Sequence, residues 1–325
     1  MKKIAIVIGA IFVVVFIALS ATSLFLMRPT DPKAEEALFV ISRTNQEETG
    51  QRLLDGGYIR SRWSLAIARV MTFRFGEIEP GGYKISKAMN TRELIALLTS
   101  EPQLKWITIP EGLRKEEIGE RLAKELGWSD EELEKWNTTY TAMEYDYREG
   151  VYFPDTYLIP VDENGLDTAK RMIIRFNEKF EGYPEKFAQK DILWTTGLKV
   201  ASIIQREAAG RQDMALISGV IWNRLLNDQA LEIDATVQYA RGNTGSGWWA
   251  PIRASDIDEI DSAYNTYKNE GLPPTPISNP GIDAIEAALN PEETDCFYYL
   301  HDSNRQIHCA KTLEEHEENI DIYLR

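Results

Sequence analysis

The longest uninterrupted apolar stretch runs over 4–27: 24 residues without a charge, with hydroxyl groups only at Ser20, Thr22 and Ser23. At ~1.5 Å per residue a helix of this length reaches about 36 Å, enough to cross a ~30 Å hydrocarbon core with some tilt. A cleaved signal peptide has a shorter apolar region of ~7–15 residues followed by a small-x-small site, so the pattern predicts a retained transmembrane anchor. Lys2 and Lys3 precede it. They point to a cytoplasmic tip at 1–3 and to 28–325 outside the membrane, although Arg28 and Lys33 weaken the charge asymmetry.

After a polar linker at 28–36 the hydrophobic pattern breaks into short elements. An apolar run at 37–41 is followed by Thr44-x-x-Glu47, a capping box that opens a helix ending at Gly56-Gly57. Alternation over 106–110 predicts a strand, Glu111-Gly112 a turn, and 115–126 a helix. The two stretches form a weak internal repeat, with Leu54 and Leu122 in matching places. Between them, 80–85 reads as turn then strand, and Asn90-x-x-Glu93 starts a helix, as does Ser129-x-x-Glu132 further on. In the second half, helical periodicity covers 172–180, 192–209, 214–226, 284–289 and 313–324. A Gly-rich loop at 242–247 runs into Trp248-Trp249, and 296–300 and 306–310 flank Asp302-Ser303-Asn304 as a β-hairpin. Helices and short strands mix without regular βαβ alternation, so the class is α+β.

Composition sharpens this picture. The chain has 325 residues with 43% hydrophobic and 27% charged, the balance of a folded protein with room for two cores. A net charge of −15 argues against non-specific nucleic-acid binding, which needs a basic face. Only two Cys and three His occur, which excludes a Cys-rich zinc site. His308 and His316 are eight apart and His301 sits in the hairpin, so no metal and no cofactor are expected. Both Cys fall in that same hairpin, which argues against a Cys–His nucleophile. If the hairpin turns at Asp302 and Ser303, Cys296 and Cys309 oppose each other directly, with Cβ atoms about 4.5–5.5 Å apart. A disulfide follows from that register, whereas a shift of one residue puts the thiols on opposite faces.

One residue breaks the local rule. In 200–209, Glu207 lies on the stripe of Val200, Ile203 and Ile204, where a carboxylate is costly to ionise. A raised pKa is what a general acid requires near neutral pH. An ion pair with Arg211 at i+4 is the alternative, and periodicity alone leaves both open.

The surrounding motifs extend the argument. Ala201-Ser-Ile-Ile-x-x-Glu207, Ile221-x-Asn223-Arg224-Leu225 and Leu231-x-x-Asp234-x-Thr236-Val237-x-Tyr239 come first. Tyr264-Asn-Thr-Tyr267, Gly271-Leu-Pro-Pro274 and Pro276-Ile-x-Asn-Pro-Gly281 follow in order, with Ile107-x-Ile-Pro-Glu-Gly112 and Glu149-Gly-x-x-Phe153-Pro-Asp-Thr-Tyr157 upstream. Together they resemble the YceG-like family of endolytic murein transglycosylases over nearly the whole chain. The resemblance implies a LysM-like α/β region at 37–146 and a mixed α+β catalytic domain at 147–325, behind the membrane anchor. It also implies non-hydrolytic cleavage within peptidoglycan glycan strands, with Glu207 as the catalytic residue. Gln205 stands where many relatives carry a glutamate, and Cys309 where they commonly carry an aromatic residue.

A single carboxyl group suffices for that chemistry. Protonated Glu207 donates to the oxygen between MurNAc and GlcNAc, then takes the proton of the C6 hydroxyl that attacks C1 and closes a 1,6-anhydro ring. An ordinary glycosidase needs a second carboxylate, for which Asp234 is the best candidate; sugar binding or turn capping is preferred for it. Asn223, Arg224, Thr236, Tyr239, Tyr264, Asn265 and Tyr267 are the other expected substrate contacts, as hydrogen-bonding groups and flat rings suited to sugars. A local cap or ion pair accounts for Asn223 and Arg224 nearly as well. Trp248-Trp249 is either a stacking platform or packing. The expected setting is a single-pass protein of the cytoplasmic membrane, trimming or terminating nascent strands beside the synthases. A hydrolytic muramidase and a non-catalytic wall-binding scaffold are the rivals, and an intact Glu207 argues against the scaffold.

Overall fold

The computed structural model describes residues 2–43, 48–142 and 149–325. The Thr44–Glu47 capping box and the 146/147 domain boundary lie outside the described residues. Two compact units emerge: Met1–Ile107 with Tyr157–Asp162, and Thr108–Thr156 with Glu163–Arg325. The class is mixed α+β.

The first unit opens with α1 (Lys2–Leu26), a helix long and apolar enough to cross a membrane. Its sheet has the order β1-β2-β3-β4, from β1 (Glu36–Ile41), β2 (Gly81–Ser86), β3 (Leu104–Thr108) and β4 (Thr156–Pro160). β1 and β2 pair antiparallel with Phe39 opposite Tyr83. Because strand side chains alternate, Phe39 and Ile41 share one face with Tyr83 and Ile85. That face is covered by Leu53 of α2 (Thr49–Asp55) and by Leu94 and Leu98 of α4 (Thr91–Leu98). Asn90 and Glu93 form the expected capping box on α4. A helix outside the predicted elements, α3 (Arg62–Thr72), lies between α2 and β2. Its inward residues are Ser64 and Ala68 with Leu65 and Ile67 beside them, while Trp63 and Val70 face outward, so the hydrophobic pattern does not mark its buried side.

The second unit holds α5 (Lys115–Leu126) and α6 (Asp130–Lys135), then α7 (Gly165–Phe180) and α8 (Tyr183–Ala188). The helices α9 (Trp194–Glu207), α10 (Met214–Leu226), α11 (Asp234–Arg241), α12 (Ala254–Glu259) and α13 (Ile282–Leu289) follow. The hairpin β5 (Tyr298–His301) and β6 (Ile307–Ala310) and the helix α14 (Leu313–Tyr323) close the chain. Asn164 starts α7 seven residues before the periodic stretch at 172–180, by accepting the Asp167 amide. α9 is the core helix, with Leu198, Val200, Ala201, Ile203 and Ile204 fully buried among α8, α10, α11 and α13.

The hairpin register differs from the expected one. Tyr299, not Cys296, stands opposite Cys309. The turn decides this: the Asp302 amide donates to Gln306 O at 2.9 Å, and Arg305 adopts a left-handed φ of 64°. Asp302 Oδ1 accepts from the amides of Asn304 and Gln306, so a three-residue loop replaces a two-residue turn. Cys296 therefore lies ahead of the ladder, yet it is disulfide-bonded to Cys309 across a Cα–Cα distance of 5.8 Å.

Candidate active site

The last turn of α9 is braced by segments far away in sequence. Ser202 Oγ accepts the Ile277 amide at 3.1 Å, and the Ser278 hydroxyl donates to Ser202 O at 3.0 Å. Gln205 Oε1 accepts the Gly281 amide at 3.0 Å, and Arg206 donates to Gly112 O at 3.3 Å. The Gly112 amide in turn donates to Asn279 O at 2.8 Å. The Ile-Pro-Glu-Gly and Asn-Pro-Gly motifs thus meet behind Glu207. Beyond Glu207 the chain turns extended at Ala208, and Asp213 accepts the amides of Ala209 and Gly210 at 3.0 and 3.2 Å. Asp213 also pairs with His301 of β5 at 2.7 Å.

Glu207 ends α9 on the wall of a cleft of about 370 Å³. The Tyr299 hydroxyl donates to its Oε2 at 2.8 Å. Burial raises the Glu207 pKa above the ordinary carboxyl value, and the Asp234 carboxylate raises it further. The Tyr299 hydrogen bond and the charges of His301 and Arg206 oppose that rise. A helix C-terminus disfavours a negative charge and acts in the same direction as burial. Arg211 pairs with Asp283 at 3.2 Å and is exposed, so the structure does not make the Glu207–Arg211 pair. The outcome is a partly buried acid with one oxygen held and a cleft before it.

Three expected contacts share this cleft: Arg224, Asp234 and Tyr267. Asp234 opens α11 and accepts the Tyr267 hydroxyl at 2.6 Å. Arg224 gives Nε to Phe297 O at 2.6 Å, and Nη1 to Ala230 O, Leu231 O and Glu232 Oε2 at 2.9–3.0 Å. Its donors hold the walls of the cleft in place. Asn223 Nδ2 donates to Thr294 O and Cys296 O at 2.7 and 3.0 Å, tying α10 to the segment entering β5.

The remaining expected contacts lie elsewhere. Thr236 is fully buried, with its hydroxyl on Ile233 O and Thr266 Oγ1. Asn265 is fully buried and donates to Ile257 O and Ile260 O. Tyr264 pairs with Thr275 Oγ1 at 2.7 Å and its ring packs on Tyr239, 4.9 Å between centroids. Tyr239 lies under the Arg114 guanidinium, 4.3 Å away, and reaches the buried Glu149. Trp248 and Trp249 dock on α5, their indole nitrogens donating to Glu120 and Glu117 at 3.2 and 2.7 Å. Arg114 lies over Trp248 and Arg206 over Trp249, at 4.4 and 3.9 Å.

Tyr299, Tyr298, Glu232 and His316 also line the cleft and are absent from the sequence-based set. Their signal was weak, because the hairpin and α14 lie about 90 or more residues from Glu207 and only the register puts Tyr299 inward. Nor do the histidines converge: His301 pairs with Asp213, His308 with Asp302 at 3.2 Å, and His316 stacks on Tyr298.

The YceG-like family profile matches residues 39–322. A Bacillus subtilis endolytic murein transglycosylase is 32% identical over 76% of this chain and 73% of its own length. One from Streptococcus pneumoniae is 27% identical over 85% of this chain, which spans only 56% of that relative's length. A crystal structure of a YceG-like protein from Listeria monocytogenes has a TM-score of 0.60 and 26% identity. It covers 88% of this chain and 99% of its own. On its sequence and its fold, the chain belongs to the YceG-like family.

Proposed function

We propose that this chain is an endolytic murein transglycosylase that cleaves the MurNAc–GlcNAc bond and leaves 1,6-anhydroMurNAc ends. The observation that carries the reading is Glu207, a carboxyl group of raised pKa facing the cleft with one oxygen held by Tyr299. Protonated Glu207 gives its proton to the glycosidic oxygen as the C1–O bond breaks and an oxocarbenium-like centre develops. The carboxylate then takes the C6 hydroxyl proton while that oxygen bonds to C1, restoring the acid. Tyr299 keeps the carboxyl group oriented through both steps. Asp234 and Tyr267 are the polar groups best placed to meet the sugar, Arg224 holds the walls between which it lies, and the raised acid needs no metal or other cofactor.

The relatives' name supports glycan strands of peptidoglycan as the substrate. α1 serves as a single-pass anchor in the cytoplasmic membrane with 28–325 on its outer face, where strands are made. Termination of nascent strands near the synthases is the role this placement favours. The LysM-like region at 37–146 links this anchor to the catalytic domain.

Hydrolysis is the second reading, because Asp234 lines the same cleft and could activate water. Mass analysis of digested sacculi separates the two. Anhydro ends are expected, and reducing ends in their place would establish hydrolysis. The Glu207→Gln variant should lose cleavage by about 10²–10⁴-fold or more while melting like the parent, since general acid–base catalysis carries that much. Full activity in that variant would refute the assignment.

A further inference from the structure

The feature that the proposed chemistry leaves unused is α3. A helix on a soluble domain turns its apolar stripe inward. α3 packs Leu65 and Ile67 against the core but carries a second apolar face that is left in solvent. Ser64 and Ala68 are fully buried, whereas Trp63 is 76% exposed, Val70 61%, Phe73 84% and Phe75 64%. Trp63, Ala66, Val70 and Phe73 are spaced i, i+3, i+7 and i+10, which is one helical face. Phe73 ends the helix with a left-handed φ of 53°, and its ring is left in solvent.

Charge sets this segment apart as well. From Gly56 to Gly76 there are four Arg (Arg60, Arg62, Arg69 and Arg74) and no acidic residue, in a chain whose net charge is −15. None of the four makes an ion pair among the described residues. Aromatic and aliphatic side chains flanked by arginines form the pattern of a helix lying in a bilayer interface.

Its location supplies the partner. Met27, at the end of α1, is buried against Ala68 of α3 and Ile95 of α4, and Met27 O accepts the Thr91 amide at 3.0 Å. Arg60 donates to Pro29 O at 2.8 Å and its guanidinium lies 5.1 Å from the Phe25 ring centre. The exposed face is therefore fastened beside the exit of α1. We propose that α3 and the Phe73–Phe75 segment lie in the headgroup layer of an anionic bilayer, next to the point where α1 leaves it. The inference rests on the reading of α1 as a membrane span.

The test uses the full chain in vesicles of phosphatidylglycerol and brominated phosphatidylcholine. A Phe73→Cys variant, and separately Phe75→Cys, carries an environment-sensitive fluorophore on the new thiol, because Cys296 and Cys309 are oxidised together. The expected result is a blue-shifted probe whose emission is largely quenched by the bromines, with less quenching in Arg69→Glu/Arg74→Glu. A chain that resists alkaline carbonate extraction but shows an unshifted, unquenched probe overturns the proposal and leaves the anchor intact. Extraction by carbonate overturns the anchor, and the proposal with it. A blue shift without quenching, accompanied by chain-to-chain crosslinks at residue 73, assigns the face to a second copy and also overturns it.

Discussion

The protonation of Glu207 is set by its surroundings: burial first, then the groups packed around it. Burial and the Asp234 charge hold its proton on, while Tyr299 donates to one oxygen and favours the ionised form. These opposed effects have separable consequences. The rate should fall on the alkaline side as Glu207 loses its proton, above the pH of an ordinary carboxyl group. Replacing Asp234 with Asn keeps an acceptor for Tyr267 but removes the charge. That should move the alkaline limb of the kcat profile to lower pH. Tyr299→Phe removes the donor, so the limb should move to higher pH while kcat drops as the carboxyl group loses its orientation. A pH–rate series on both variants checks the two signs, and shifts in the same direction would contradict this account.

At the scale of elements, the cleft depends on how α10 grips the segment leading into β5. Ala215 O accepts the Glu292 amide at 2.9 Å, Asn223 holds Thr294 and Cys296, and Arg224 holds Phe297. Gly219 sits in the middle of this contact. A Cβ there would collide with the backbone carbonyl of Glu292, which cannot swing aside as a side chain can. Gly219→Ala should therefore cost about 1–3 kcal/mol, as overpacking does, in spite of the better helix propensity of alanine. Thermal unfolding measures that cost. Because the displaced strand carries Tyr299, kcat should fall together with stability; an unchanged melting temperature would show that the contact yields freely.

Across the whole molecule, the second unit encloses a carboxyl group remote from the cleft. Glu149 is fully buried and accepts the Lys115 amide on both oxygens, Asn279 Nδ2 at 2.5 Å and Tyr239 OH at 3.4 Å. Burial is the largest influence and pushes its pKa from 4.5 up to about 8, against those donors. The folded state then binds this proton more tightly than the unfolded state. The associated stability is complete below pH 4.5 and is lost as pH rises through 8. Glu149→Gln, which cannot ionise, should flatten the fall in melting temperature over that window relative to the parent. Parallel curves for the two proteins would show that the site pays nothing for its charge.

Local chemistry was enough to read the apolar helix at the N-terminus, the caps at Asn90 and Ser129, and the helices at 115–126 and 214–226, because each signal lies within one or two turns of chain. The place of Glu207 at the end of a buried helix was also legible, as a carboxylate on an apolar stripe beside a dense set of motifs. α3 was not, because Leu65 and Ile67 pack inward beside Ser64 and Ala68 while Trp63, Val70 and Phe73 face outward, so no single apolar stripe stands out. The hairpin register was decided by the left-handed Arg305 and the side chain of Asp302, which lengthen the loop and bring Tyr299 opposite Cys309. The work done by Asn223, Arg224, Thr236 and Asn265 was likewise out of reach. Their polar groups find backbone and side-chain partners on segments up to 73 residues away, and only the packed chain determines which donors remain for a sugar.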